Sequence, residues 1–253
     1  MTEAYQYFFS LVKDHLRTGP TCTVRVGPVR YNESVPAKHV IKVYVENGYY
    51  HLLNRGVDKR PFFLDSGDYK KFLSLLKRYL TNPDILPEHL QPPRPIRRSD
   101  LYEKIKLIAY CLMPNHFHLL VKQETRNAIT KFARSLSNAY VRYFNDRYKR
   151  VGALFQGKIK GVLVDSDAYL LHLSRYIHQN PEEVWDKGLR DYPYSSYAEY
   201  LGFRNTQWIY PEIVLDFFSS SENNLFYDYF SYRSFVEKPK EETPKLIQRL
   251  TFE

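Results

Sequence analysis

At 253 residues, 43% hydrophobic and 26% charged, with Cys22 and Cys111 as its only thiols, the chain has the balance of one large globular domain with attached segments. It lacks an apolar run of the roughly 18 residues a membrane span needs, and has too few cysteines for a disulfide scaffold or a cysteine-based zinc site, so no membrane partner is expected. The net charge of +9 is unevenly spread: residues 131–160 hold eight basic side chains against Asp146 alone, whereas residues 181–253 hold eight basic and thirteen acidic ones. One-sided clustering points to a polyanionic partner, and interleaved aromatics suit single-stranded nucleic acid.

Residues 2–17 predict an amphipathic helix, with Tyr5, Phe8, Phe9, Val12 and Leu16 at helical spacing. Glu3, Lys13, Asp14 and Arg17 give that segment none of the layout of a secretory leader, so a cytoplasmic protein is expected. Residues 18–40 carry Gly19-Pro20, Gly27-Pro28 and Pro36 and read as a connector. A first strand is expected over 43–54, closed by Arg55-Gly56. Asp65-Ser66 then caps a helix over 67–80 whose apolar face is Tyr69, Phe72, Leu73, Leu76 and Tyr79. Five prolines with Arg94, Arg97 and Arg98 mark 81–100 as a basic loop.

Strands over 104–112 and 116–122, joined by Met113-Pro114-Asn115, form a hairpin. A long helix over 127–148 has the apolar stripe Ile129, Phe132, Leu136, Tyr140, Tyr143 and Phe144, while Lys131, Arg134, Asn138 and Arg142 recur on another face. A fourth strand spans 158–164, and Asp165-Ser166 caps a helix over 167–179 that stops before Pro181. This order predicts an α+β, ferredoxin-like split βαβ fold: an antiparallel sheet with helices on one face, plus helical extensions at both ends. The expected division is an N-terminal extension over 1–40, a main domain over 41–202 and an accessory segment over 203–253. That last segment carries a short helix over 208–218 and an aromatic stretch over 227–236.

His116 and His118 flank Phe117 at the start of the hairpin's second strand, so both imidazoles point to one face. They read equally as half of a metal site or as two half-buried histidines on a polar sheet face. In the last helix Tyr176 and Asn180 lie one turn apart. If their face covers the histidines, the amide oxygen of Asn180 can be a third ligand and Tyr176 hangs beside the ion. The plainer readings are a core tyrosine and a helix C-terminal asparagine. With two nitrogens and an amide oxygen, the site would be open and suited to Mg²⁺ or Mn²⁺. No general base stands out, since His51, His172 and His178 qualify only by proximity in sequence.

Four blocks occur in order: Tyr49-Tyr50-His51-Leu52-Leu53-Asn54-Arg55-Gly56, residues 112–121 around the histidine pair, Leu154-Phe155-Gln156-Gly157-Lys158, and residues 175–181 around Tyr176. Together they resemble the single-tyrosine HUH transposases of the insertion-sequence-200-like kind, especially the REP-associated branch, over roughly residues 42–202. The resemblance implies a ferredoxin-like domain that cuts and rejoins single-stranded DNA beside imperfect hairpins. It implies His116 and His118 as metal ligands, Asn180 as the additional ligand and Tyr176 as the nucleophile that forms a 5′-phosphotyrosine. Relatives in that family include monomers and homodimers, and some carry Gln at the position of Asn180.

The residues expected to contact DNA are Asn54, Arg55, Arg94, Arg97, Arg98, Lys131, Arg134, Asn138, Arg142, Lys149, Arg150, Lys158 and Lys160. Two other readings are a hairpin-binding protein without cleavage and an HUH replication initiator or relaxase. The chain has no Gly-rich phosphate loop of the kind that accompanies a helicase domain. Tyr169, seven residues before Tyr176, leaves room for a two-tyrosine mechanism.

Overall fold

A computed structural model describes residues 44–90, 101–219 and 231–237, all within the unit Lys42–Glu253. The N-terminal helix and connector, Arg94, Arg97 and Arg98, and part of the C-terminal aromatic stretch lie outside the described residues. Four strands, β1 (Tyr49–Arg55), β2 (Ile105–Met113), β3 (His116–Gln123) and β4 (Lys160–Val164), form one sheet in the order β2-β3-β1-β4. All neighbours run antiparallel. Helix α1 (Ser66–Leu80) connects β1 to β2, and α2 (Ala128–Tyr148) connects β3 to β4. This is the expected ferredoxin-like topology. Helices α3 (Asp167–Gln179), α4 (Glu212–Ser219) and α5 (Tyr232–Glu237) follow. Among the described residues no helix is long and apolar enough to cross a membrane.

Local chemistry sets the boundaries. β1 starts at Tyr49 rather than 43, because Glu46-Asn47 make a turn with Asn47 at φ 56°, and Gly48 N–H donates to the Val45 carbonyl at 3.4 Å. β4 starts at Lys160 rather than 158, after Gly157 at φ 85° turns the chain. Asp65 caps α1 by accepting from the N–H groups of Gly67 and Asp68, and Ser166 caps α3 by accepting from Tyr169 N–H.

Side chains alternate across the sheet. Leu52, Phe117, Leu119 and Val121 face α1 and α2, packing with Phe72, Leu76, Ile129, Phe132, Leu136 and Tyr140. Leu120 and Cys111 face the other way, under Leu173 and Ile177 of α3, Val214 of α4 and Phe235 of α5. The two crossover helices therefore share one face as expected, and the helices after β4 close the second face.

Position 203 is not a structural break. Ile209 bridges to Leu107 of β2, and Tyr210 N–H donates to the Leu107 carbonyl at 2.9 Å. Helix α5 is fastened to α3 by Gln179, whose amide donates to the Val236 carbonyl at 2.7 Å. His178 Nδ1 lies 2.7 Å from the Tyr232 hydroxyl, and its Nε2 lies 2.8 Å from Ser196 Oγ. Burial lowers the His178 pKa to about 3, so this is a neutral, structural histidine.

Candidate active site

The turn before β3 is tied down from three sides. The Pro114 carbonyl accepts from Phe62 and Phe63 N–H, and the Asn115 carbonyl accepts from Gly56 N–H at 2.9 Å. Gly56 is required there, because a side chain would strike the Arg60 carbonyl. His116, the first residue of β3, is thereby fixed against the end of β1, opposite Arg55.

His116 is held between two amide oxygens. Its Nδ1 lies 2.7 Å from Asn115 Oδ1 and its Nε2 lies 3.3 Å from Asn180 Oδ1. Asn115 donates its NH₂ to the Lys59 carbonyl at 3.0 Å, and Asn180 donates its own to the Tyr176 carbonyl at 2.8 Å. Each amide must therefore present oxygen to the ring. A neutral imidazole has one N–H, so one oxygen faces a nitrogen lone pair. Burial holds the His116 pKa below its ordinary value, against help from Asn180 and Glu183, which disfavours a second proton on the ring.

A cation held by Nε2 and the Asn180 oxygen, 3.3 Å apart, would resolve the conflict. Among the described residues no group of three or more His, Cys, Asp or Glu side chains is placed to hold a metal. An ion here would depend on an amide oxygen beside imidazoles, a donor set that fits Mg²⁺ or Mn²⁺ better than a closed zinc centre.

His118, two residues on and on the same face, is buried. Its ring packs edge-on against His116 at 5.0 Å and against Tyr176 at 5.4 Å between centroids. Its Nδ1 lies 2.8 Å from His51 Nε2 on β1. Burial, then the neighbouring imidazoles, keeps His118 well below the usual histidine range, and burial takes His51 to about 3. Both rings are neutral, the state in which His118 could hold a metal. Tyr176 is half-buried at the C-terminal end of α3, one turn before Asn180. The face of α3 bearing these two residues does cover the histidines.

Other expected site residues are distributed differently. Arg55 stays at the site: its Nε and one terminal nitrogen donate to Gln156 Oε1 at 3.1 and 2.9 Å, and its charge disfavours protonation of His116. Asn54 is buried beneath the site. It is 2% exposed, its NH₂ donates to the Gly157 carbonyl and its oxygen accepts from Arg55 N–H.

Lys131, Arg134, Asn138 and Arg142 are exposed on α2, across the sheet from the histidines. Three of them, Arg134, Asn138 and Arg142, line an ≈ 810 Å³ groove between α1 and α2 together with Lys71 and Arg78, which sequence reasoning missed. Lys149 ends α2 in a left-handed conformation, and Arg150 lies over the Phe144 ring. Lys158 and Lys160 are exposed at the β4 edge of the sheet.

Sequence reasoning also left His51 as a bystander. The available signal was strand alternation, which puts His51 on the face opposite Leu52, but the register that sets it diagonal to His118 comes only from pairing.

Residues 96–180 match a protein-family model described as "Transposase IS200 like". The matched segment carries both histidines, Tyr176 and Asn180. The likeness read from the motifs is therefore also that of a transposase family model. Among solved structures, a REP-associated tyrosine transposase bound to a REP hairpin is 14% identical, covering 68% of this chain and 96% of that one, with a TM-score of 0.48. A putative transposase from Deinococcus radiodurans R1 is 16% identical, covering 58% and 97%, with a TM-score of 0.34. No curated protein matches the chain.

Proposed function

We propose that this chain is a metal-dependent single-stranded DNA endonuclease and strand transferase that acts beside hairpins through a 5′-phosphotyrosine. The observation that carries the reading is His116 set between two amide oxygens, with Tyr176 packed on the adjacent His118. Mg²⁺ or Mn²⁺ held by His116, His118 and Asn180 would polarise a backbone phosphate and favour the phenolate.

Tyr176 Oη attacks phosphorus and its proton goes to solvent. The bond to the 3′ oxygen breaks, leaving a 3′-hydroxyl on one fragment and the 5′-phosphate of the other on Tyr176. Attack by a second 3′-hydroxyl expels the phenol and joins the strands, with no external energy source. Arg55, held against Gln156 next to His116, offers a positive charge to the same phosphate.

The groove between α1 and α2 suits the hairpin stem, whose phosphates need charge rather than a reactive centre. Replacing Arg134 and Arg142 together by Ala should lower the slope of log affinity against log salt by about two, as expected for two lost phosphate contacts. Adduct formation at saturating DNA should persist. Affinities measured from low to high salt test this, and an unchanged slope removes the groove from the stem-binding path.

The central test incubates the protein and Mn²⁺ with single-stranded DNA carrying the hairpins that flank its own gene, labelled at the 3′ end. A denaturant-resistant protein–DNA adduct that disappears with a chelator and with His116→Ala is expected. A chelator-insensitive adduct overturns the metal's role, and absence of any adduct overturns the enzymatic reading.

A further inference from the structure

His51 is a buried histidine that the reaction above does not use, and its partner is a ligand in the proposed metal site, on which the following rests. His51 Nε2 and His118 Nδ1 stand 2.8 Å apart between stacked rings whose centroids are 5.0 Å apart. Two neutral imidazoles joined this way share one proton in the contact, and the choice of owner fixes both tautomers. His118 can direct a lone pair from Nε2 toward an ion only when its own proton is on Nδ1, donated to His51. His51 must then carry its proton on Nδ1.

That atom is buried and makes no hydrogen bond. In the other arrangement His51 donates from Nε2, its Nδ1 keeps the lone pair, and His118 carries its proton on Nε2, an atom as sealed as His51 Nδ1. Without an ion each arrangement therefore encloses one N–H, and only an ion at His118 Nε2 selects the first.

We propose that His51 is a positioning residue for the metal ligand His118. When the site is loaded, the shared proton belongs to His118 Nδ1, and His51 accepts it at Nε2 while its own proton sits on Nδ1. The acceptor behind a metal-bound histidine is ordinarily a carboxylate or carbonyl oxygen. A neutral imidazole there sharpens the ligand's orientation without adding charge.

The test uses the full chain and two variants. Two-bond ¹H–¹⁵N spectra at saturating Mg²⁺ should place the His51 proton on Nδ1. A proton on His51 Nε2 in the loaded protein overturns the assignment. Titration with Mn²⁺, followed by its electron paramagnetic resonance signal, should show about ten- to hundred-fold weaker binding for His51→Phe, which keeps the ring shape without an acceptor. His51→Gln places an amide oxygen near the lost Nε2 and should restore binding to within about threefold of wild type, a rescue that simple cavity filling would not give.

Wild-type affinity in a folded His51→Phe protein overturns the positioning role. If that variant fails to fold, His51→Gln and the wild-type spectra still decide. Wild-type protein that takes up no Mn²⁺ overturns the metal site itself and this inference with it. Uptake that is insensitive to His51 overturns only the inference.

Discussion

Tyr176→Phe is expected to abolish the covalent DNA adduct, lowering strand cleavage by about 10³-fold or more, the scale on which loss of a covalent nucleophile is felt. The substitution removes one oxygen and keeps the ring that packs edge-on against His118. The site's shape, the proposed ion ligands and hairpin affinity should therefore be retained. Gel-shift affinity and adduct yield measured on the same preparation separate the two effects. Normal cleavage by the variant would end the phosphotyrosine mechanism. Tyr169 is no substitute: it is 5% exposed, and burial raises its phenol above the ordinary value, so it neither reaches DNA nor ionises readily.

Asp68→Ala should give the largest loss of stability. Asp68 is completely buried at the start of α1 and accepts four hydrogen bonds: from Leu64 N–H at 2.8 Å, the Tyr143 hydroxyl at 3.0 Å, the Tyr148 hydroxyl at 2.9 Å and Arg147 at 2.9 Å. Three of those donors come from α2, so one carboxylate joins both crossover helices. Its removal strands several donors in a closed site, at a cost of about 3–4 kcal/mol. In a domain of this size that lowers the thermal midpoint by about 10 °C, as calorimetry would read it. A shift of a degree or two would show that water replaces the carboxylate. Because the helices carry the basic groove, hairpin affinity should fall before the histidine site is disturbed.

The candidate site was legible wherever spacing alone fixes geometry. A histidine on each side of Phe117 must share a strand face, and residues 176 and 180 must share a helix face. What spacing cannot give is how separate elements meet. The sequence marked Arg134 and Arg142 as phosphate ligands but could not tell which side of the sheet α2 covers, and they lie across it from Tyr176. The burial of Asn54 follows from parity: it sits in phase with Leu52 and opposite Phe117, both inward-facing. Arg55, one residue on, has the opposite parity and does reach the site. The Asp65 cap and the stripe of α2 were readable for the same local reason. The bond from Asp68 to α2 was not, since it joins residues about eighty positions apart.

The fastening of α3 has a further consequence. The helix that carries Tyr176 is held on its outer side by α5 through Gln179 and His178, and on its inner side by the sheet that bears the histidines. Tyr176 and the proposed ion ligands thus sit together within one chain, tied by a buried polar network. On the proposed mechanism each copy would carry a complete centre. Pairing two copies would multiply the strand ends handled at once, but it would not be needed to assemble a working centre. If the proposed reaction holds, any exchange of partners during joining would fall to the DNA, with Tyr176 remaining at its post.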